Sequence, residues 1–141
     1  IGELMNALLL TGASISLYGS SRPISGAEHH FSHYLEVLGD QRGKPYAMHG
    51  EQVAFGALCQ LVVENRPTDE FERIYRFCRD VHLPVSLAEL GITENVRSSV
   101  EKAVDYGMAN KAILQIEPFA VTRERLLNAI FYVDAYAKEH P

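Results

Sequence analysis

Four of the six histidines in this 141-residue chain fall between Ser20 and Glu51: His29, His30 and His33 in one short run, His49 at the head of a second. Imidazole is the commonest protein ligand for a borderline divalent ion, and a catalytic zinc-type site takes three protein ligands and leaves one position open. Two histidines drawn from two helices would supply most of such a site. For any one of them alone, a solvated helix surface or a cap is the default reading. A histidine-rich face beside a strongly apolar helix is costly to bury without a task, and the cluster therefore shifts the balance toward chemistry.

The elements that must position these side chains can be read locally. Ser25 is a good N-cap, Glu28 follows three residues later as in a capping box, and no breaker intervenes before Gly39, so the pattern predicts a helix over 26–38. On that helix His29 and His33 lie four apart on one face, and His30 and His33 three apart. Gly39, Gly43 and Pro45 interrupt the chain before a second apolar run begins near Met48, which puts His49 in the first turn of the next helix. Two antiparallel helices joined by a short loop can bring His29 and His49 together.

These same residues carry a resemblance. Ser-Gly-Ala-Glu-His29-His30-Phe-Ser-His33 and His49-Gly50-Glu51-Gln52-Val53-Ala54 resemble the metal-binding motifs of the iron-containing alcohol dehydrogenase and dehydroquinate synthase-like superfamily. Within it, Ser-Arg-Pro-Ile-Ser-Gly-Ala-Glu-His is most similar to sn-glycerol-1-phosphate dehydrogenases, and next to glycerol dehydrogenases. Phe77 to Pro84, Leu87 to Ile92 and Pro118 to Thr122 agree in order and rough spacing, so the resemblance covers essentially the whole chain.

The resemblance implies a C-terminal, all-helical domain, residues 1–141, in which His29 and His49 ligate a catalytic divalent metal: zinc, nickel or iron. It implies NAD(P) as the cofactor of the complete enzyme and a small polyol or polyol phosphate as substrate. That metal would bind the alcohol or ketone oxygen and stabilise the alkoxide from which hydride leaves to the nicotinamide. His33, one turn from His29, could line the substrate or nicotinamide side as a hydrogen-bond partner or proton relay. His30 rivals His29 as ligand, because adjacent helical side chains diverge by about 100° and only one should face the cleft. No glycine-rich turn after a strand is present to cradle a dinucleotide. The N-terminal dinucleotide-binding domain, and with it a carboxylate as third ligand, is expected upstream of Ile1. The isolated piece is then expected to be inactive.

Composition is compatible with one helical domain. At 47% hydrophobic and 22% charged residues the chain can bury a real core. Its formal charge of -5, with no basic stripe, argues against a nucleic-acid surface. Cys59 and Cys78 lie in apolar helical runs and read as reduced core thiols of a cytoplasmic protein. Leu4 to Leu17 is apolar, but it is too short to span a bilayer and lacks the basic leader of a signal peptide. It reads as a helix packed in the core, with Gly12, Ala13 and Ser16 permitting close contacts.

The rest reads helix after helix. Residues 48 to 64 are apolar around most of their circumference and belong at the centre. Pro67 opens a helix that ends before Pro84, with Phe71, Ile74, Tyr75, Cys78 and Val81 on one face. Ser86 caps a short turn, Leu87 to Leu90, closed by Gly91. Thr93 and Glu94 open another helix to about Ala109, and Thr122 begins the last. Between them Lys111 to Val121 is irregular, and Ala112 to Ile116 is the lone strand candidate. The fold expected is an all-α, single-domain helical array.

Competing constellations are weaker. Ser32, His33 and Asp40 could suggest a hydrolase, but no nucleophile elbow is present. Glu28 and Glu51 could serve as acid and base, yet capping explains both. His82 reads as structural and His140 as solvated, and Tyr34, Tyr75, Tyr132 and Tyr136 read as core-edge packing. A noncatalytic helical binding module and a lyase-type relative of dehydroquinate synthase are the alternative functions. A homo-oligomer is possible, since a domain parted from its neighbour should expose an apolar seam.

Overall fold

The computed structural model describes residues 1–26, 28–109 and 120–140, and at position 30 the backbone alone. Among the described residues there are six α-helices and no strand. They are α1 (Gly2–Tyr18), α2 (Glu28–Gln41), α3 (His49–Val63), α4 (Thr68–Asp80), α5 (Val96–Ala109) and α6 (Arg123–Glu139), with a 3-10 turn at Arg22–Ile24. The all-α array expected from the apolar periodicity is the fold observed. The strand candidate at Ala112 to Ile116 lies outside the described residues, as does most of the irregular connection around it.

The central helix is α3, whose apolar circumference is met on several sides. Phe55 and Leu58 are fully enclosed, with Gly56, Cys59 and Val63 beside them. Helix α2 lies against α3 and α5, α3 also touches α4 and α6, and α5 packs on α6. Each neighbour turns one stripe inward: Phe31, Tyr34 and Leu35 from α2, Val100, Ala103 and Val104 from α5, Ala129, Ile130 and Val133 from α6. Non-helical chain completes the core, because Val85, Leu87, Leu90 and Ile92 are all buried.

That non-helical piece is held by polar groups that the sequence places nearby. The Ser86 hydroxyl accepts the Glu89 amide at 3.2 Å, and the Glu89 carboxylate accepts the amides of Val85 and Ser86 at 2.8 and 3.1 Å. Gly91, at φ 84°, closes the turn in the left-handed region. Asp134 of α6, itself buried, accepts the Leu87 amide at 2.9 Å and pairs with Lys138 at 2.6 Å. Leaving a buried amide such as that of Leu87 without a partner would cost about 1–3 kcal/mol.

Three expectations are corrected. Ser25 does not cap α2: it ends the 3-10 turn with extended backbone, and Glu28 reaches instead to the Gly26 amide, 2.7 Å from Oε1. Helix α2 also runs past Gly39 to Gln41. Gly39 serves close approach, since a Cβ there would lie 3.2 Å from Pro45 Cα and the loop folds back over it. Helix α1 has no buried residue, and Leu8, Leu9, Leu10 and Leu17 are exposed. A methyl at Gly12 would meet nothing. Hydrophobicity alone placed α1 in the core, but burial needs a partner surface, and α1 packs chiefly on the adjoining 3-10 turn.

At Gly56 the two helices that carry the histidines touch. A Cβ on Gly56 would collide with the carbonyl oxygen of Glu28 and lie 3.1 Å from its carbonyl carbon. Backbone cannot step aside as a side chain can, so only glycine permits this crossing. Gly56→Ala should therefore destabilise the chain by about 1–3 kcal/mol as overpacking does, read as a lower urea midpoint. An unchanged midpoint would show that the helices do not meet here.

Cys59 and Cys78 are both free and buried, as expected. Burial pushes both thiols up, with the nearby Asp134 charge adding to the effect at Cys59. Because the thiolate is the nucleophile, neither should react with a maleimide until the chain unfolds. Rapid native labelling followed by mass spectrometry would contradict that.

Candidate metal centre

The rings of His29, His33 and His49 come together at the junction of α2 and α3. Their centroids are 5.4 Å apart for His29 and His49, 6.0 Å for His29 and His33, and 6.3 Å for His33 and His49. Two imidazoles that ligate one tetrahedral ion through Nε2 set their ring centres roughly 5 Å apart, given a metal–nitrogen bond near 2 Å. The His29–His49 spacing is of that size. His33, exposed and farther from each, stands at the edge of the pair. The side chain of His30, the rival ligand, lies outside the described residues.

Hydrogen bonds fix which nitrogen each paired ring offers. His29 Nδ1 lies 2.8 Å from Glu28 Oε1, and His49 Nδ1 lies 2.8 Å from Glu36 Oε1 and 2.9 Å from Ser32 Oγ. A carboxylate only accepts, so Nδ1 carries the proton in both rings and donates it. In the neutral form of either ring, Nε2 then keeps the lone pair. This is the arrangement seen around metal-bound histidines, where the outer nitrogen donates to a carboxylate and the inner one ligates.

Among the described residues no three His, Cys, Asp or Glu side chains gather as a ligand set. The donor chemistry fits two positions of a divalent site, and the set is partial. A catalytic ion needs at least one further protein ligand.

The polar side chains follow one line along α2. His29, Ser32, His33 and Glu36 stand at i, i+3, i+4 and i+7, which on a helix is a single stripe. Ser32 is fully buried at its inner edge. Sequence reasoning found the two histidines in this stripe and missed Glu36, while Ser32 entered only a rejected hydrolase reading. The signal was present as the helical spacing of the four residues. It needed His49 opposite them to acquire meaning.

The start of α3 is anchored from both sides. Glu51 Oε2 accepts the Met48 amide at 2.6 Å, so the capping role expected for Glu51 is met. The Ala47 amide donates to the Leu90 carbonyl at 3.2 Å, and the Ala47 carbonyl accepts Gln52 Nε2 at 2.5 Å. Gln52 is buried, and among the described residues its Oε1 has no hydrogen-bond partner. The amide thus holds the turn just before His49.

The other histidines lie elsewhere. His82 sits at φ 60° in the turn after α4. His140 is exposed but not merely solvated, since its ring stacks on Tyr136 at 4.0 Å and its carbonyl accepts the Tyr75 hydroxyl at 2.8 Å. Of the tyrosines expected at the core edge, Tyr34 and Tyr75 are buried outright, while Tyr132 is exposed and packs its ring against the buried Phe71, as does Tyr136.

No family model matches the chain. It is 37% identical over 91 residues to a glycerol dehydrogenase of Citrobacter freundii, covering 64% of this chain and 25% of that protein. It is 39% identical over 92 residues to a glycerol-1-phosphate dehydrogenase [NAD(P)+] of Archaeoglobus fulgidus, again 64% and 25%. A crystal structure of a probable glycerol dehydrogenase from Sinorhizobium meliloti 1021 matches with a TM-score of 0.71 at 36% identity, covering 81% of this chain and 32% of that one.

The chain is thus a relative of polyol dehydrogenases. In particular it is similar to the glycerol and glycerol-1-phosphate dehydrogenases, and its fold is consistent with the C-terminal helical domain of their superfamily. It spans about a quarter of the length of the curated relatives it matches. No helix among the described residues is long and apolar enough to cross a membrane.

The anchoring of α3 yields a test. Gln52→Ala leaves the Ala47 carbonyl without its side-chain donor and should cost about 1–3 kcal/mol. Hydrogen exchange at the Ala47 amide should quicken beyond the global change. Equal protection in both proteins would remove Gln52 from the anchor.

Proposed function

We propose that this chain is the metal- and substrate-binding helical part of an NAD(P)-dependent polyol dehydrogenase. Such an enzyme interconverts glycerol 1-phosphate or glycerol with dihydroxyacetone phosphate or dihydroxyacetone. The observation that carries the reading is the convergence of His29, His33 and His49 in a chain related to glycerol and glycerol-1-phosphate dehydrogenases.

In this reading His29 and His49 each give an Nε2 lone pair to a divalent ion, zinc, nickel or iron, and a carboxylate from the rest of the enzyme completes the set. The ion, when bound, polarises the substrate oxygen and makes the hydroxyl easier to deprotonate. NAD(P), held by the rest of such an enzyme, would supply the hydride acceptor. The chain's residues hold the geometry: Glu28 and Glu36 keep the two rings turned, and the Gly56 crossing keeps the helices at ligating distance. His33, exposed beside the pair, hydrogen-bonds the substrate or relays the hydroxyl proton outward.

The test joins this chain to the dinucleotide-binding domain of a glycerol-1-phosphate dehydrogenase. His49→Ala should lose bound metal and NAD-linked oxidation together. His33→Ala should keep its metal and lose turnover. Elemental analysis beside initial rates separates the two, and metal loss in the His33 variant would end its proposed role.

The 141-residue chain by itself should bind zinc weakly and should not bind NADH. Acid should release the zinc, because a protonated imidazole has no lone pair to give. Tight, saturable NADH binding in a fluorescence titration would instead identify a self-sufficient binding protein.

A further inference from the structure

We infer that Glu36, with Ser32 behind it, is a positioning residue that sets the tautomer of His49 and so keeps its Nε2 open to the site. The inference rests on the reading of His49 as a ligand and adds two residues from the facing helix to it.

His49 Nδ1 is shared between two oxygens, Glu36 Oε1 at 2.8 Å and Ser32 Oγ at 2.9 Å. Glu36 can only accept, and it thereby draws the imidazole proton to Nδ1. Ser32 is different, because a hydroxyl can either accept or donate. Beside Glu36 its oxygen takes a second share of the Nδ1 proton. With Glu36 removed, the buried hydroxyl has the same nitrogen as its neighbour and no competing carboxylate. A buried hydroxyl seeks an acceptor, so it would turn its own proton onto Nδ1. The imidazole proton would then move to Nε2, and the lone pair needed for a metal would be lost.

Glu36 is thus the residue that chooses between two states, and Ser32 can serve either. The pair is half-exposed, so the carboxylate acts through a directed hydrogen bond more than through buried charge. Its position is forced by the helix: Glu36 falls two turns from His29 on the same stripe, so one helix carries a ligand and the orienting group of the other. Glu28 holds His29 in the same way from the adjacent position, at 2.8 Å.

The experiment uses the metal-free 141-residue chain, 15N-labelled at histidine and held at mildly alkaline pH. Long-range proton–nitrogen correlation NMR reads the His49 tautomer, and calorimetry with zinc chloride reads affinity. The wild-type ring should be protonated at Nδ1. Glu36→Ala, a change on a half-exposed face to the best helix former, should fold and shift the proton to Nε2. Zinc affinity should fall about 10–100-fold. Adding Ser32→Ala removes the donor, and should return the ring to a mixture of tautomers and recover part of the affinity.

An Nδ1 proton that persists in Glu36→Ala overturns the inference while leaving the metal reading intact, whereas a wild-type ring protonated at Nε2 overturns both, because it lacks the lone pair the ligand role needs. Absence of zinc binding to the wild type overturns the metal reading, and the tautomer shift still decides what Glu36 does.

Discussion

The contact of Gly56 with the backbone of Glu28 is the constraint on which the rest depends. It sets α2 and α3 closer than any side chain would allow, and it fixes their antiparallel register at one point. From there His49 lies about 10 Å back along α3, at 1.5 Å per residue, and Ser32 and Glu36 lie about 6 and 12 Å forward along α2. They meet because both helices are counted from the same crossing. A side chain at Gly56 would push the helices apart and separate nitrogen from carboxylate without touching either.

Much of this was legible in the sequence where one residue type had one use. The apolar circumference of α3, the Thr122 cap of α6, whose hydroxyl accepts the Arg125 amide, and the placement of His49 in a first turn all follow from local pattern. Gly39 was misread because a glycine inside a helix has two explanations. Entropy suggests a stop, while close approach suggests a contact, and only the returning loop at Pro45 distinguishes them. The apolar face of α1 was misread because a sequence records hydrophobicity and not the surface that would cover it. Glu36 was missed for a related reason: a half-exposed glutamate on a helix is the commonest of surface residues until an imidazole faces it.

The site lies at the margin of the core, and the gradient across it has a use. Ser32 is wholly enclosed, His29 is mostly so, and His49 and Glu36 are about half open. The inner edge is dry enough for hydrogen bonds to hold their directions. The outer edge stays open to a small polar molecule. The thiols, by contrast, lie on the dry side, where burial suppresses their ionisation and keeps them from competing for a soft metal.

The stripe on α2 also limits how this chain can drift over evolutionary time. One residue inserted between His29 and Glu36 would rotate everything beyond it by about 100°, moving the carboxylate from one flank of the helix to another. Substitution can be absorbed there, but a change in length cannot. The exposed loop at residues 42–45 faces no such limit apart from its return over Gly39. Length variation among descendants of this sequence should therefore collect between the two helices, and the interval from His29 to Glu36 should keep its count even where most of its letters have changed.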